Sequence, residues 1–325
     1  MTDCFGEEQM RFTGGRTTFL LAALALAANG EAQNAARYVF SFFRGNGEAG
    51  VFLAVSDDAR NWREANNGKP VLVPQVGGKL TRDPSVCRGP NGAYHMVWTT
   101  SWKDKGFGVA HSTNLLDWSE QQFVPVNADE PNARNTWAPE IFYDDATHQY
   151  VVIWATTITG LFPETQVKGD GELNHRIYCS TTADFKTWAP KRLFYDGGFN
   201  VIDAFLFKKD GRYGMVVKDE TKEPQSQKNL HVVWSEGGVM GPWGKAGPAF
   251  TDNREAWAEG PAVIRVGDRW MVYYDKYNKG GYGAVETRDF VTFAPVQTAL
   301  PKGIRHGTIV EVESAAAKEL VSCQK

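Results

Sequence analysis

Charge of one sign is scarce in this chain. Its 35 Lys and Arg face 38 Asp and Glu, a formal net charge of -3. A nucleic-acid backbone favours a basic face on its partner, so this balance argues against a nucleic-acid partner. Cysteine is scarce as well. Cys4, Cys87, Cys179 and Cys323 are the only four, at irregular spacing and with no Cys-x-x-Cys. That pattern is neither a disulfide framework nor a zinc site. Cys87 and Cys179 lie in apolar strand-like runs and read as buried thiols. The six His are scattered, at 95, 111, 148, 175, 231 and 306, and no His-Glu-x-x-His occurs. His95 and His231 fall inside strand patterns and read as structural. A Gly-x-Ser-x-Gly elbow and a phosphate loop are also missing, which removes the serine-hydrolase and nucleotide signatures.

Long apolar runs are missing too, so no membrane span is expected. The most apolar stretch, Thr17 to Ala28, is too short to cross a bilayer as a helix. A basic segment from Met10 to Arg16 precedes it and Gly30-Glu31-Ala32 follows, ahead of Gln33. This three-part pattern reads as an export leader. Residues 1–32 are therefore expected to be a signal peptide with an upstream extension, Met10 being a better start than Met1. The mature protein is expected to be secreted or periplasmic.

Aromatic residues and turns are plentiful. Eleven Trp and an aromatic share of 13% supply flat apolar surface, used for packing between sheets or for stacking on a sugar ring. Helical periodicity almost vanishes after the leader. Short strands alternate with Gly, Pro, Asn and Asp turns, and the pattern repeats. Ser56-Asp57-Asp58-Ala59-Arg60-Asn61-Trp62 is echoed by Ser112 to Trp118, Thr181 to Trp188 and Glu286 to Phe293, and more loosely by Ser235 to Trp243. Ahead of each copy lies a strand of the type Tyr94-His95-Met96-Val97-Trp98. Ahead of four of those strands stands one that opens on a carboxylate: Asp83, Glu140, Asp203 or Glu259. A fifth such strand, opening at His306, lacks a following partner, and the unmatched strand Tyr38 to Phe43 is at the other end of the chain.

Five units of about fifty residues, the last assembled from both chain ends, predict an all-β, five-bladed β-propeller over residues 33–313. Sharing a blade between the termini closes the ring and leaves no open sheet edge. A β-sandwich is the alternative, and there the five residues are unrelated turn positions. In a propeller, Asp83, Glu140, Asp203, Glu259 and His306 converge on one funnel. Two segments stand outside the plan. Ile158 to Asn174 is a long loop that reads as a rim or a surface excursion. Residues 314–325 form an Ala- and Lys-rich tail with no assigned role.

Carboxylates crowded in one funnel repel one another and lose solvation, which raises the pKa of at least one. A Glu raised to about 6–7 can act as a general acid beside an ionised base, the division of labour used in glycoside hydrolysis. Trp102, Trp137 and Trp257 lie near the same mouth and suit a sugar ring.

From about Tyr38 to Val312, the chain resembles glycoside hydrolase family 43. The resemblance rests on Arg82-Asp83-Pro84-Ser85, Trp137-Ala138-Pro139-Glu140, Val201-Ile202-Asp203-Ala204, Glu259-Gly260-Pro261 and Arg305-His306-Gly307, in that order. It implies an inverting glycosidase acting on an oligo- or polysaccharide, with Asp83 as general base, Glu259 as general acid and Asp203 tuning the acid. It also implies that His306 stands near an axial water or calcium ion; no cofactor is required. Relatives often carry Asp where Glu140 stands, so Glu140 is expected to bind substrate and alter which sugar fits, the alternative being a structural hydrogen bond to a neighbouring blade. Arg305 is expected to reach the pocket or to pair between blades. Within the resemblance α-L-arabinofuranosidase is the leading activity, ahead of β-xylosidase and galactan-directed action. A propeller that binds polysaccharide without cleaving it, and a retaining fructan hydrolase, are the alternatives. Inversion needs carboxyl groups about 6.5–9.5 Å apart.

Overall fold

A computed structural model describes residues 38–166, 170–313 and 320. The expected leader, and all of the tail but residue 320, lie outside them. The described residues form twenty strands in five four-stranded antiparallel sheets. The chain begins in the closing blade with β1 (Tyr38–Phe43), β2 (Val51–Ser56) and β3 (Arg63–Glu64). Blade 1 follows as β4 (Arg82–Arg88), β5 (Tyr94–Thr99), β6 (Phe107–Ser112) and β7 (Gln122–Val124). Blade 2 contains β8 (Trp137–Asp144), β9 (Gln149–Thr156), β10 (Arg176–Thr182) and β11 (Arg192–Tyr195). Blade 3 contains β12 (Val201–Lys209), β13 (Arg212–Asp219), β14 (Asn229–Gly238) and β15 (Gly241–Trp243). Blade 4 contains β16 (Glu259–Val266), β17 (Arg269–Asp275), β18 (Tyr282–Thr287) and β19 (Ala294–Pro295). The last strand, β20 (Arg305–Glu311), returns to pair with β1, so both chain ends build the closing blade as expected.

The recurring turn has a physical cause. Ser56 donates its hydroxyl to Asp58 Oδ1 at 2.9 Å, and that oxygen accepts the N–H groups of Arg60 and Asn61 at 2.8 Å. Ser112 with Asn114, Thr182 with Asp184 and Thr287 with Asp289 repeat the arrangement. Short hydroxyl and carboxylate side chains bond to nearby backbone in this way and so replace ladder bonds at a strand end. The next residue takes a left-handed φ of 55–67° at Ala59, Leu115, Phe185 and Phe290, and all four are buried. Blades then pack through aromatic contacts such as Phe207 stacked on Phe290, with ring centroids 4.2 Å apart. Trp98 and Trp154 are fully buried, so these two serve packing; truncating such a Trp costs about 3–5 kcal/mol.

The described part of the loop at 158–174 is pinned rather than free. The guanidinium of Arg176, fully buried, donates to Thr165 at 2.7 Å and to Asn174 at 3.1 Å, and it covers the Phe162 ring.

Every inner strand carries an irregularity near its start. Arg82 pairs with Thr99, but the next pair is Ser85 with Val97. The same slip follows Trp137, Ile202, Glu259 and Arg305. In four of the five strands the residue after the last pair before the slip has a left-handed φ: Asp83 (52°), Ala138 (45°), Asp203 (52°) and Gly260 (56°). An extra residue of this kind is a β-bulge, and it re-aims a side chain.

Candidate active site

The bulges set the register of the funnel and correct the expected equivalence of the five opening residues. The last pairs before the slip are made by Arg82, Trp137, Ile202, Glu259 and Arg305. Asp83, Ala138, Asp203, Gly260 and His306 each stand one residue later. Glu259 is thus one position ahead of Asp83 and Asp203 rather than equivalent to them. Glu140 lies three residues beyond Trp137, past the bulge.

A cavity of about 240 Å³ opens at this mouth, lined by Asp83, Asp203, Glu259 and His306 together with Arg82, Trp102, Trp137 and Arg305. Glu140 is absent from its lining. Its carboxyl is buried and accepts the Ser85 hydroxyl at 2.6 Å, a contact between neighbouring blades. Burial pushes Glu140 up to about 8, so it is neutral at pH 7. Trp257 also stands outside the lining; it packs on Tyr277, which does line the cavity.

Trp102 and Trp137 form an edge-to-face pair with centroids 5.4 Å apart. Trp137 Nε1 donates to the Trp102 carbonyl at 3.1 Å, and Trp102 Nε1 donates to Asn46 at 3.0 Å. The Arg82 guanidinium lies 4.1 Å from the Trp102 ring. This fixed aromatic wall is 46% exposed at Trp102.

The carboxylates respond to the funnel in different ways, which revises the expectation of simple mutual repulsion. Burial works against ionisation of Asp83, but His306 at 3.3 Å, the charge of Arg82 and the Thr99 hydroxyl at 2.8 Å overcome it and hold Asp83 down at about 2. Burial pushes Asp203 up to about 6; Glu259 and Asp83 add to the rise, while His306 and Lys218 oppose it. Asp203 Oδ2 accepts the Gly260 N–H at 3.0 Å. Burial disfavours a charged His306, yet Asp203 and Asp83 raise it to about 9, so the ring is an imidazolium at neutral pH. Both oxygens of Glu259 are engaged by cations: Arg305 Nη2 at 3.0 Å and Lys218 Nζ at 3.2 Å. Arg305 also binds Asp275 Oδ2 at 2.5 Å, so it both lines the cavity and pairs within the closing seam.

Among the described residues no group of three or more His, Cys, Asp or Glu is placed to hold a metal. Of the thiols, Cys179 is buried and Cys87 half-buried; both are free, and burial pushes both upward. No helix among the described residues is long and apolar enough to cross a membrane.

Thr99, Lys218, Glu220 and Tyr277 also line the cavity and were not singled out from sequence. Thr99 and Lys218 sit where β5 and β13 meet the bulged starts of β4 and β12. A polar residue directly after an apolar strand run is the signal that marks them.

A five-bladed propeller with carboxylates and a tryptophan wall around its axial mouth defines a carbohydrate-type site. A family profile described as a probable glycosyl hydrolase domain matches residues 33–318. The chain belongs to this glycoside hydrolase family 43-related group. An α-L-arabinofuranosidase of Bifidobacterium longum subsp. longum is 27% identical over 198 residues, covering 54% of this chain. The chain spans only 18% of that relative's length. The fold is similar to an α-L-arabinofuranosidase from Lactobacillus brevis, with a TM-score of 0.55 and 17% identity over 70% of this chain and 74% of the other. A thermostable family-43 glycoside hydrolase gives a TM-score of 0.54 and 17% identity, over 70% of this chain and 75% of the other.

Proposed function

We propose that this chain is an exported, inverting exo-glycosidase that removes terminal α-L-arabinofuranosyl units from polysaccharide side chains. The observation that carries this reading is that Asp83, held as a carboxylate, shares one cavity with Glu259 and Asp203. Asp83 takes a proton from a water whose oxygen attacks the anomeric carbon. Glu259 gives its proton to the glycosidic oxygen as the carbon–oxygen bond breaks. One water is consumed, and the two carboxyl groups exchange their protons with solvent before the next cycle. Asp203 biases the proton affinity of the acid through its own charge.

A cavity of about 240 Å³ is smaller than the roughly 300–1,000 Å³ of drug-sized ligand sites, which supports one sugar ring at the axis and hence action at chain ends. The arabinofuranosyl assignment draws on the Bifidobacterium relative. The leader-like pattern of residues 10–32 supports export.

The test is hydrolysis of a panel of aryl glycosides by the wild type and by Asp83→Ala and Glu259→Gln, with folding checked by circular dichroism. The arabinofuranoside is expected to be cleaved fastest, and both variants are expected to lose turnover while staying folded. Full activity in Glu259→Gln overturns the assignment. Proton NMR of the first-formed anomer separates inversion from retention.

A further inference from the structure

Behind Glu259 runs a buried chain of alternating charge. Lys228 donates to Glu220 Oε1 at 2.5 Å, and Lys218 lies 2.6 Å from Glu220 Oε2. Lys218 Nζ continues to Glu259 Oε2 at 3.2 Å, and Glu259 Oε1 meets Arg305, which pairs with Asp275. Three cations and three anions alternate along this path. The Lys218 side chain is only 2% exposed, and its ammonium lies 4.3 Å from the Tyr277 ring.

Burying a lysine is costly unless its charge is paired. The Lys218 ammonium rests on Glu220 from its own blade and on Glu259 from the next, with Tyr277 closing one side. Asp203, Glu220 and Glu259 all favour its charged form. The site therefore holds a permanent positive charge against one oxygen of the residue read as the proton donor. Packing alone is a poor reason for it, because a methionine fills similar space at lower cost.

We infer that Lys218 is a positioning residue for Glu259: its ammonium aims the carboxyl group and stabilises the carboxylate left when the proton passes to the leaving-group oxygen. This rests on the reading of Glu259 as general acid. In that step the Glu259 O–H bond breaks, the glycosidic oxygen gains the proton, and the electron pair of the breaking carbon–oxygen bond stays on that oxygen. Negative charge then appears on Glu259 beside Lys218. An interaction that strengthens as charge develops lowers the barrier. Glu220 and Lys228 keep Lys218 from following the substrate or turning to Asp203.

A leaving-group series separates this role from a structural one. Departure of an alkoxide needs protonation, whereas a dinitrophenolate leaves without it. Lys218→Met is expected to lower kcat/KM on a methyl arabinofuranoside about 10²-fold, the lower end of general-acid contributions, and to leave a dinitrophenyl arabinofuranoside within about threefold. Glu259→Ala is measured in parallel. Equal losses on both substrates in Glu259→Ala overturn the general-acid reading itself. A leaving-group-dependent loss in Glu259→Ala, with an equal loss or none in Lys218→Met, overturns the role of Lys218 alone. Where Lys218→Met does not fold, Glu220→Gln frees Lys218 from its second carboxylate. The same selective loss, smaller in size, is then expected, and an unselective one overturns the proposal.

Discussion

His306 Nδ1 faces two carboxylates at once, 3.3 Å from Asp83 and 3.8 Å from Asp203. The two respond in opposite directions, Asp83 falling to about 2 and Asp203 rising to about 6. The surroundings account for the split. Asp83 adds a hydroxyl donor and the charge of Arg82, whereas Asp203 has Glu259 beside it. One imidazolium thus keeps one carboxylate ionised and leaves its neighbour able to hold a proton, the kind of split by which a site can divide acid from base roles.

His306→Asn removes that cation. Burial then acts on Asp83 with less opposition, and its pKa rises from about 2. The acid limb of kcat/KM against pH is expected to move up by about one unit or more, since one unit corresponds to about 1.4 kcal/mol of lost interaction. Stability carries its own signature. A histidine raised from 6.5 to about 9 stabilises fully below 6.5, and that contribution is lost as pH rises through 9. Wild-type Tm is therefore expected to fall more steeply between pH 6.5 and 9 than that of His306→Asn. Parallel Tm curves and an unmoved acid limb remove the role given to His306.

Glu140 has the same sign for a different reason, burial rather than ion pairing. Its folded value is raised from 4.5 to about 8 by burial, so the native state holds the proton more tightly than the unfolded chain. This group's contribution is most favourable below 4.5 and is lost as pH rises to 8. Glu140→Gln, which is neutral at every pH, is expected to gain stability relative to wild type on going from pH 5 to pH 9, by a few kcal/mol in order of magnitude. Thermal melts at the two pH values check this. Turnover at pH 6 is expected to change little, because the carboxyl lies outside the cavity.

Gly260 is constrained by its neighbour as well as by its backbone. Its φ is +56°, and a Cβ there would lie 2.3 Å from His306 Cγ. Gly260→Ala is expected to cost about 1–3 kcal/mol through overpacking and to lower kcat by displacing His306 from Asp83. A variant with wild-type kcat and Tm contradicts the tight seam between β16 and β20.

Trp102 is the exposed edge of the aromatic wall. Trp102→Ala is expected to raise KM on the order of tenfold, about 1.4 kcal/mol of binding, with kcat and Tm nearly unchanged. Loss of kcat at constant KM contradicts its reading as a platform for the sugar.

Much of this was legible in the chain. The Ser/Thr-x-Asp/Asn turns recur because each bonds to its own backbone, so the signal is local. The apolar strands recur because each must fill the same space between blades. Asp83, Asp203, Glu259 and His306 then fall at one mouth simply by opening the inner strands. Glu140 misled for a specific reason. Counting along the chain treats Trp137-Ala138-Pro139-Glu140 like Arg82-Asp83, but the bulge after Trp137 carries Glu140 past the mouth, to Ser85 of the preceding blade. Trp257 misled in a similar way: it is near Glu259 in sequence, but its ring packs on Tyr277 and stands outside the cavity lining.

Local patterning was enough to determine five blades, their closure by both ends and the strands that carry the acidic residues, because strand period and turn chemistry involve only neighbouring residues. Tertiary structure alone decided which carboxyl groups share the cavity, which of them His306 holds ionised, and that Lys218 and Arg305 grip the two oxygens of Glu259. Those outcomes depend on bulge register and on burial between residues far apart in the chain. Neither quantity leaves a mark on the residues nearby in sequence.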